Sequence, residues 1–319
     1  METINLCLCS DNNYAQHLGV TLLSFAEHHK NHNISCFILD GGISQKNKHK
    51  ILSLQKIFQN INIKFIEINE NAFSSYEMPK NSHFSSAIFY RFKIPELFSD
   101  LDKILYMDVD IVVLNSIIDF YKTDLTGYCF GMVPDWSEKQ CAESVGTNHY
   151  YNSGVMLFNI KECLKKDVTS TLIETLSSFS DKSKYPDQDM INSIFEKSIK
   201  RFDFKFNAQN HPSISASTEY IKNNINNISI LHYTSKQKPW KNKIVPFEKL
   251  YIENLKKTPW KNNIWKIKAS KIPNYIFRYT KLDLTKTFYF LGLEIFRKEY
   301  KERHHPISII LFKAVKINL

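Results

Sequence analysis

Ile4-Asn5-Leu6-Cys7-Leu8-Cys9-Ser10-Asp11-Asn12-Asn13 is a short apolar run closed by four polar turn-formers. That order predicts a strand running into a turn. Just beyond it, Leu18, Leu22 and Phe25 recur at the spacing of one helical face, so a helix is expected over 18–28. The pattern then repeats with a strand over 34–39, a turn at Gly41-Gly42, a helix over 44–58 with Ile51, Leu54 and Phe58 inward, and a strand over 61–66. Alternating strands and helices predict an α/β domain, a Rossmann-like, mostly parallel sheet with flanking helices. Such sheets hold ligands beyond the carboxyl ends of their strands, which directs attention to the turn after the first strand. That turn lacks the Gly-x-Gly-x-x-Gly fingerprint and no Walker-type loop occurs, so a nucleotide must be held by other means.

Further along, an expected strand over 103–107 runs directly into Asp108-Val109-Asp110 and out through 111–114. Residues two apart on an extended segment point the same way, so both carboxylates can face the mouth of the sheet. Two close carboxylates repel, and a divalent cation removes that repulsion while binding a diphosphate. A solvated Asp-x-Asp turn is the bland alternative. Strands are also expected over 129–133, 154–159 and 228–232, and helices over 161–179 and 189–197. The late strand ends at His232, followed by Tyr233-Thr234-Ser235-Lys236-Gln237-Lys238-Pro239-Trp240. A lone histidine there is usually structural, but with the acidic pair it reads as a third metal ligand, and Lys238 as a phosphate contact. Two Asp and one His favour Mn²⁺, with Mg²⁺ as the alternative.

Six segments in order resemble the glycosyltransferase family 8: Ser10-Asp11-Asn12-Asn13-Tyr14, residues 83–91, Leu105-Tyr106-Met107-Asp108-Val109-Asp110, Tyr151-Asn152-Ser153-Gly154-Val155, Tyr185-Pro186-Asp187-Gln188-Asp189, and the His232 to Trp240 block. The likeness spans most of residues 3–240, with the bacterial lipopolysaccharide galactosyl- and glucosyltransferases most similar. It implies a GT-A fold, a UDP-sugar donor and retention of anomeric configuration. It also implies roles. Asp11 and Asn13 would bond the uracil edge and Tyr14 would stack on its ring. Cys9, His83, Val109 and Ser235 would line the donor, and Arg91 would hold its sugar or phosphate side. Core packing for Tyr14 and a surface ion pair for Arg91 are the alternatives.

The same resemblance makes Asn152-Ser153-Gly154 a turn whose glycine lets the backbone approach the donor sugar. Asp187 would bind a sugar hydroxyl and Gln188 would lie beside the anomeric carbon, an amide ill suited to act as nucleophile. A front-face reaction is therefore expected. Asp135 is expected on the acceptor face or as a turn-former after Pro134, and 137–149 as a polar acceptor loop. One departure stands out: Ser235 occupies a position usually held by glycine, and Lys236 one where proline is common, so the loop is expected to wrap the diphosphate differently.

The chain's formal charge is +10. From residue 261 onward there are thirteen Lys and Arg against four Asp and Glu, a balance of +9, leaving the first 260 residues near +1. A nearly neutral body argues against a nucleic-acid groove, the rival class suggested by the basic pI of about 9.1. Two domains are expected, 1–262 catalytic and 263–319 a basic, aromatic, helical tail that associates with an anionic membrane surface. A helical cap packed on the catalytic domain is the bland alternative. Neither a signal peptide nor a run of about 20 apolar residues is seen. The six cysteines form no Cys-x-x-Cys pair, consistent with a reducing cytoplasmic setting on the inner face of the membrane. A glycan or lipid-linked saccharide is the expected acceptor, and a non-catalytic nucleotide-sugar binder is the rival within the fold.

Overall fold

The computed structural model describes residues 3–68, 73, 86–176, 179, 183, 185–282, 285–290, 293–302 and 305–311. The chain divides into two compact units: Met1–Gln209 with Asn224–His232 and Lys257–Pro259, and Asn210–Asn223 with Tyr233–Lys256 and Trp260–Leu319. The change of composition at residue 262 falls inside the last segment of the second unit.

The first unit is built on β1 (Thr3–Asp11), β2 (Asn33–Gly41), β3 (Ile61–Glu67), β4 (Lys103–Met107), β5 (Ile111–Val113), β6 (Phe130–Pro134), β7 (Tyr151–Asn159), β8 (Ile199–Arg201), β9 (Ala208–Gln209) and β10 (Ile230–His232). Seven of these form one sheet in the order β3-β2-β1-β4-β7-β6-β8. All of its pairings are parallel except those of β7, which runs antiparallel to both β4 and β6. The central strand β1 is buried at Leu6, Cys7 and Leu8 on both faces, which explains its near-continuous apolar run.

Chain order sets the position of the site. From β1 the chain builds outward through β2 and β3, then returns to place β4 on the other side of β1, with Leu6 opposite Leu105 and Leu8 opposite Met107. The carboxyl ends of β1 and β4 therefore flank the topological switch point, the crevice where open α/β sheets bind ligands. Because β7 is antiparallel to β4, with Val155 opposite Met107, the amino end of β7 emerges at the same mouth.

Beyond the mouth, a three-stranded sheet in the order β5-β10-β9 continues the segment that follows Asp110. Its register pairs Ile111 with His232 and His232 with Gln209, so a residue more than a hundred positions downstream lies next to the acidic pair. The helix Ala15–His28 anchors this segment through two buried hydroxyls. Thr21 Oγ1 donates to the carbonyls of Val109 (3.0 Å) and Ile111 (2.8 Å), and Ser24 Oγ accepts from the Val113 amide (3.0 Å).

Several elements differ from their expected bounds. The helix expected over 44–58 is Gln45–Leu52 followed by a 3₁₀ turn, Ser53–Lys56. The one expected over 161–179 is two helices, Ile160–Lys165 and Val168–Leu176, separated where Asp167 adopts a positive φ of 48°. The helix Pro186–Phe195 begins three residues earlier than expected, because Pro186 opens it with φ already set for the first turn. Strand β7 likewise begins at Tyr151, so Asn152-Ser153-Gly154 is extended backbone within a sheet and not a turn. The stretch expected as a polar loop over 137–149 carries the helix Glu138–Val145.

The second unit contains the helices Glu248–Leu255 and Ile264–Ile276 and an antiparallel meander, β11 (Phe277–Leu282), β12 (Thr285–Phe290), β13 (Leu293–Glu302) and β14 (His305–Leu311). Lys271, 2% exposed, pairs with the Glu248 carboxylate and fastens the two helices. The helical tail expected from residue 263 onward is thus helical only to Ile276. Segments such as Thr285-Lys286-Thr287-Phe288-Tyr289-Phe290 are dense in β-branched and aromatic residues, which favour strands once neighbours pair with them. Among the described residues no helix is long and apolar enough to cross a membrane. All six cysteines are free thiols.

Candidate active site

Asp108 leaves β4 with its amide donating to the Gly154 carbonyl (2.8 Å), which extends the β4–β7 ladder one step past the strand. Asp108, Asp110 and His232 converge there, each offering one ligand atom, and these atoms all lie within 4.8 Å of one another. His232 Nε2 is 3.0 Å from Asp110 Oδ1 and 3.8 Å from Asp108 Oδ2. Two carboxylate oxygens and an imidazole nitrogen turned on a common point are mutually repulsive until a cation lies between them, so the set fits a divalent metal ion.

Beneath the pair lies Arg91, 5% exposed. Its Nη2 donates to Asp108 Oδ1 (2.9 Å), its Nη1 to the Ser153 carbonyl (2.7 Å) and its Nε to the Ile88 carbonyl (3.0 Å). Nη1 also lies 3.1 Å from Asp187 Oδ2, and the guanidinium sits 4.5 Å above the Tyr106 ring. Burial disfavours the guanidinium charge, but Asp108 and Asp187 outweigh it and hold its pKa above the ordinary value. Arg91 is therefore a buried, doubly paired cation, and the alternative of a surface ion pair is set aside. Tyr106, two residues before Asp108 on the same face of the strand, donates its hydroxyl to Asp108 Oδ1 (2.7 Å).

Asp187 and Gln188 lie in the first turn of Pro186–Phe195, each 5% exposed. Burial raises the Asp187 pKa, Arg91 opposes the rise and Asp108 adds to it. Its Oδ2 accepts from Ser153 Oγ (2.9 Å). Gln188 Oε1 accepts from Asn152 Nδ2 and from the Ser153 amide (both 3.0 Å), while its Nε2 donates to Asp135 Oδ2 (3.2 Å). Asp135 Oδ2 also accepts from Asn152 Nδ2 (3.2 Å), and its Oδ1 from the Ser137 amide (2.9 Å). Asp135 thus forms the expected turn and at the same time joins the amides of Asn152 and Gln188.

At the end of β1, Asp11 Oδ1 accepts from the Tyr14 amide (2.9 Å), bending the chain into the helix Ala15–His28. Asn13 is exposed and Tyr14 half-buried, its ring edge-on to His17 at 5.2 Å. Burial, then Asp110, Asp11 and Asp108, push the Tyr14 hydroxyl up to about 12, so it remains a neutral phenol. Cys9 Sγ donates to the Ala87 carbonyl (3.2 Å) and its pKa is raised by burial. Val109 is 8% exposed between the two aspartates. His83 lies outside the described residues. Ser235 and Lys238 belong to the second unit, where Ser235 Oγ accepts from the Gln237 amide (3.0 Å) and Lys238 donates to the Tyr233 carbonyl.

Three contributors were not anticipated. Tyr106 was legible as the i−2 neighbour of Asp108. Asn192 Nδ2 donates to the carbonyls of Tyr151 and Gln188 (both 2.8 Å) and its Oδ1 accepts from the Tyr151 amide (2.7 Å), clamping helix to strand; it stands one helical turn after Gln188. Asn207 bonds both His232 and Asn152 (2.9 Å each) from an irregular stretch whose sequence carries no local signal.

Residues 5–244 match the family model Glycosyl transferase family 8. The chain belongs to that family. Among family relatives, General stress protein A of Bacillus subtilis (strain 168) is 26% identical over 277 residues, covering 81% of this chain and 95% of the relative. Lipopolysaccharide 1,2-glucosyltransferase of Escherichia coli is 28% identical over 302 residues, covering 90% of this chain and 88% of the relative. The crystal structure of the galactosyltransferase LgtC in complex with donor and acceptor sugar analogs superposes with a TM-score of 0.70 at 26% identity, covering 80% of this chain and 96% of that one. The α/β architecture with a mostly parallel sheet is the GT-A fold that the family resemblance implies.

Within this family site, the packing around the glycine of Asn152-Ser153-Gly154 supplies a reason for it. A Cβ on Gly154 would lie 2.2 Å from His232 Cε1 and 2.8 Å from Asp108 Oδ2. The missing side chain makes room for the histidine and the aspartate. Gly154→Ala is expected to displace one of them and to weaken divalent-cation binding by ~10–100-fold, as changes to residues that orient metal ligands do. Titration of Mn²⁺ followed by electron paramagnetic resonance checks this, and unchanged affinity would contradict the assignment.

Proposed function

We propose that this chain transfers a hexosyl group, galactose or glucose, from a UDP-sugar to a glycan acceptor of the lipopolysaccharide or lipooligosaccharide type, with retention of anomeric configuration. The observation that carries the reading is the convergence of Asp108, Asp110 and His232 at the switch point, in a family member whose relatives include a lipopolysaccharide glucosyltransferase. Asp108, Asp110 and His232 would hold Mn²⁺, with Mg²⁺ as the alternative. When bound, the cation supplies positive charge to the diphosphate leaving group.

Asp11, Asn13 and Tyr14, at the carboxyl end of β1, bind the uridine. Cys9, His83 and Val109 line the donor, and Ser235 and Lys238, with Lys236 beside them, serve the diphosphate. Arg91 acts from below by occupying Asp108 Oδ1, which leaves Oδ2 turned toward His232. Asp135 and residues 137–149 border the acceptor.

The proposed step is front-face. The acceptor hydroxyl oxygen bonds to the anomeric carbon on the side from which the bond to the diphosphate breaks, and the hydroxyl proton passes to the departing phosphate oxygen. Asp187 is already engaged by Arg91 and Ser153, and both ends of the Gln188 amide are engaged by Asp135, Asn152 and Ser153. Neither offers an unencumbered nucleophile, which supports a route without a glycosyl-enzyme. Preorganised dipoles and charges around the anomeric centre then supply the stabilisation.

The tail, 263–319, is proposed to hold the enzyme at an anionic inner-leaflet surface where a lipid-linked acceptor lies. In its helix, Trp265 is 64% and Ile272 53% exposed, seven residues apart and so on one face. Each basic residue near such a surface adds about 1 kcal/mol.

Three measurements test this reading. Release of UDP from UDP-galactose or UDP-glucose, with a lactosyl acceptor, is expected to require Mn²⁺ and to fall by ~100-fold or more in Asp110→Asn; UDP-sugar binding without UDP release would instead mark a non-catalytic binder. Mass spectrometry during turnover is expected to show no covalent adduct, even in Gln188→Glu, and a trapped glycosyl-enzyme would establish double displacement. In flotation, the full chain is expected to rise with phosphatidylserine-containing vesicles at low salt and to be released at high salt; failure to float would remove the membrane role.

A further inference from the structure

We infer that Asn207 is a positioning residue that sets the tautomer of His232 and so prepares the metal site, an inference resting on the reading that Asp108, Asp110 and His232 bind a divalent cation. Asn207 is fully buried between Asn152 and His232. Its Nδ2 donates to Asn152 Oδ1 (2.9 Å), which turns its Oδ1 toward His232 Nδ1 (2.9 Å). An amide oxygen only accepts, so His232 Nδ1 must carry the proton. In the neutral ring Nε2 then holds the lone pair, and Nε2 is the atom facing Asp110 and Asp108.

The direction of this relay is fixed at its far end. Asn152 Nδ2 donates to Asp135 Oδ2 (3.2 Å) and Gln188 Oε1 (3.0 Å), and Asn152 Oδ1 also accepts from the Gly154 amide (3.1 Å). An ionised carboxylate only accepts, and a backbone amide only donates. Flipping Asn152 would set oxygen against oxygen at Asp135 and N–H against N–H at Gly154. Flipping Asn207 alone would oppose two amide oxygens. Each buried amide thus has one satisfied orientation, and the flipped one leaves a buried donor or acceptor unpaired. The polarity imposed by Asp135 and Gly154 passes through Asn152 and Asn207 to the ring.

Metal-bound histidines commonly donate their other ring N–H to an oxygen that fixes tautomer and ring angle, and losing that oxygen typically lowers metal affinity ~10–100-fold. Asn207 occupies this place. With UDP saturating, Mn²⁺ titration of Asn207→Leu, which keeps the shape and removes the acceptor, is expected to show that ~10–100-fold loss. Asn207→Gln, which keeps an accepting oxygen for Nδ1 and a donating amide for Asn152, is expected to recover most of that loss. A merely structural role would not be rescued in this way. Independently of any variant, ¹⁵N imidazole spectra of the metal-free protein are expected to show His232 protonated at Nδ1.

Nε2 protonation of the neutral ring, or unaltered Mn²⁺ affinity in Asn207→Leu, would overturn the inference. His232→Ala separates this from the reading beneath it. If that variant also binds Mn²⁺ unaltered, the metal reading fails and the inference with it; if it alone loses affinity, only the role of Asn207 fails.

Discussion

The buried guanidinium of Arg91 is the interaction on which the site depends. Three structural elements meet at this mouth, the end of β4, the start of β7 and the first turn of Pro186–Phe195, and two of them bring carboxylates. Without a compensating charge the carboxylates of Asp108 and Asp187 would repel one another there. Arg91 supplies it, and its third bond, to the Ser153 carbonyl, ties the strand to the same point. Breaking such a buried pair costs about 3–5 kcal/mol, because the partner charge is left uncompensated. A planar five-donor group suits the task better than an ammonium, since it reaches Asp108, Asp187 and the Ser153 and Ile88 carbonyls while the Tyr106 ring closes its face.

The carboxylates are then graded by environment. Asp187 is buried, engaged and raised in pKa, whereas Asp108 is 28% and Asp110 15% exposed toward the mouth. Asp108 divides its two oxygens between functions: Oδ1 receives Arg91 and Tyr106, and Oδ2 is left for the common point with His232. Preorganisation of this kind means that little has to rearrange when charge develops on a leaving group.

Packing imposes the second condition. Strand β7 passes so close beneath His232 that Gly154 tolerates no side chain, while one residue earlier Ser153 reaches Asp187 and Gln188. The amides of Asn152, Gln188 and Asn207 link this strand to Asp135 on one side and His232 on the other. Buried polar chains are stable only when every member is satisfied, so their geometry is rigid as well as specific.

By itself the sequence determined the α/β alternation, the first strand running into the turn at Ser10-Asp11, the acidic pair after the next central strand and the candidacy of His232, while Gln188 was named through the family resemblance. These are local: period, turn chemistry and residue type act over a few positions. Tertiary structure alone decided that Ile111 pairs with His232, which brings the imidazole to Asp110, and that Arg91 is buried against Asp108 and Asp187. It also decided that Gly154 yields its space to His232, and that the tail beyond Ile276 turns from helix to a meander. Strand register and burial depend on partners far away in the chain, and a residue such as Asn207, in an irregular stretch without period, acquires its role only from the groups that the fold sets on either side of it.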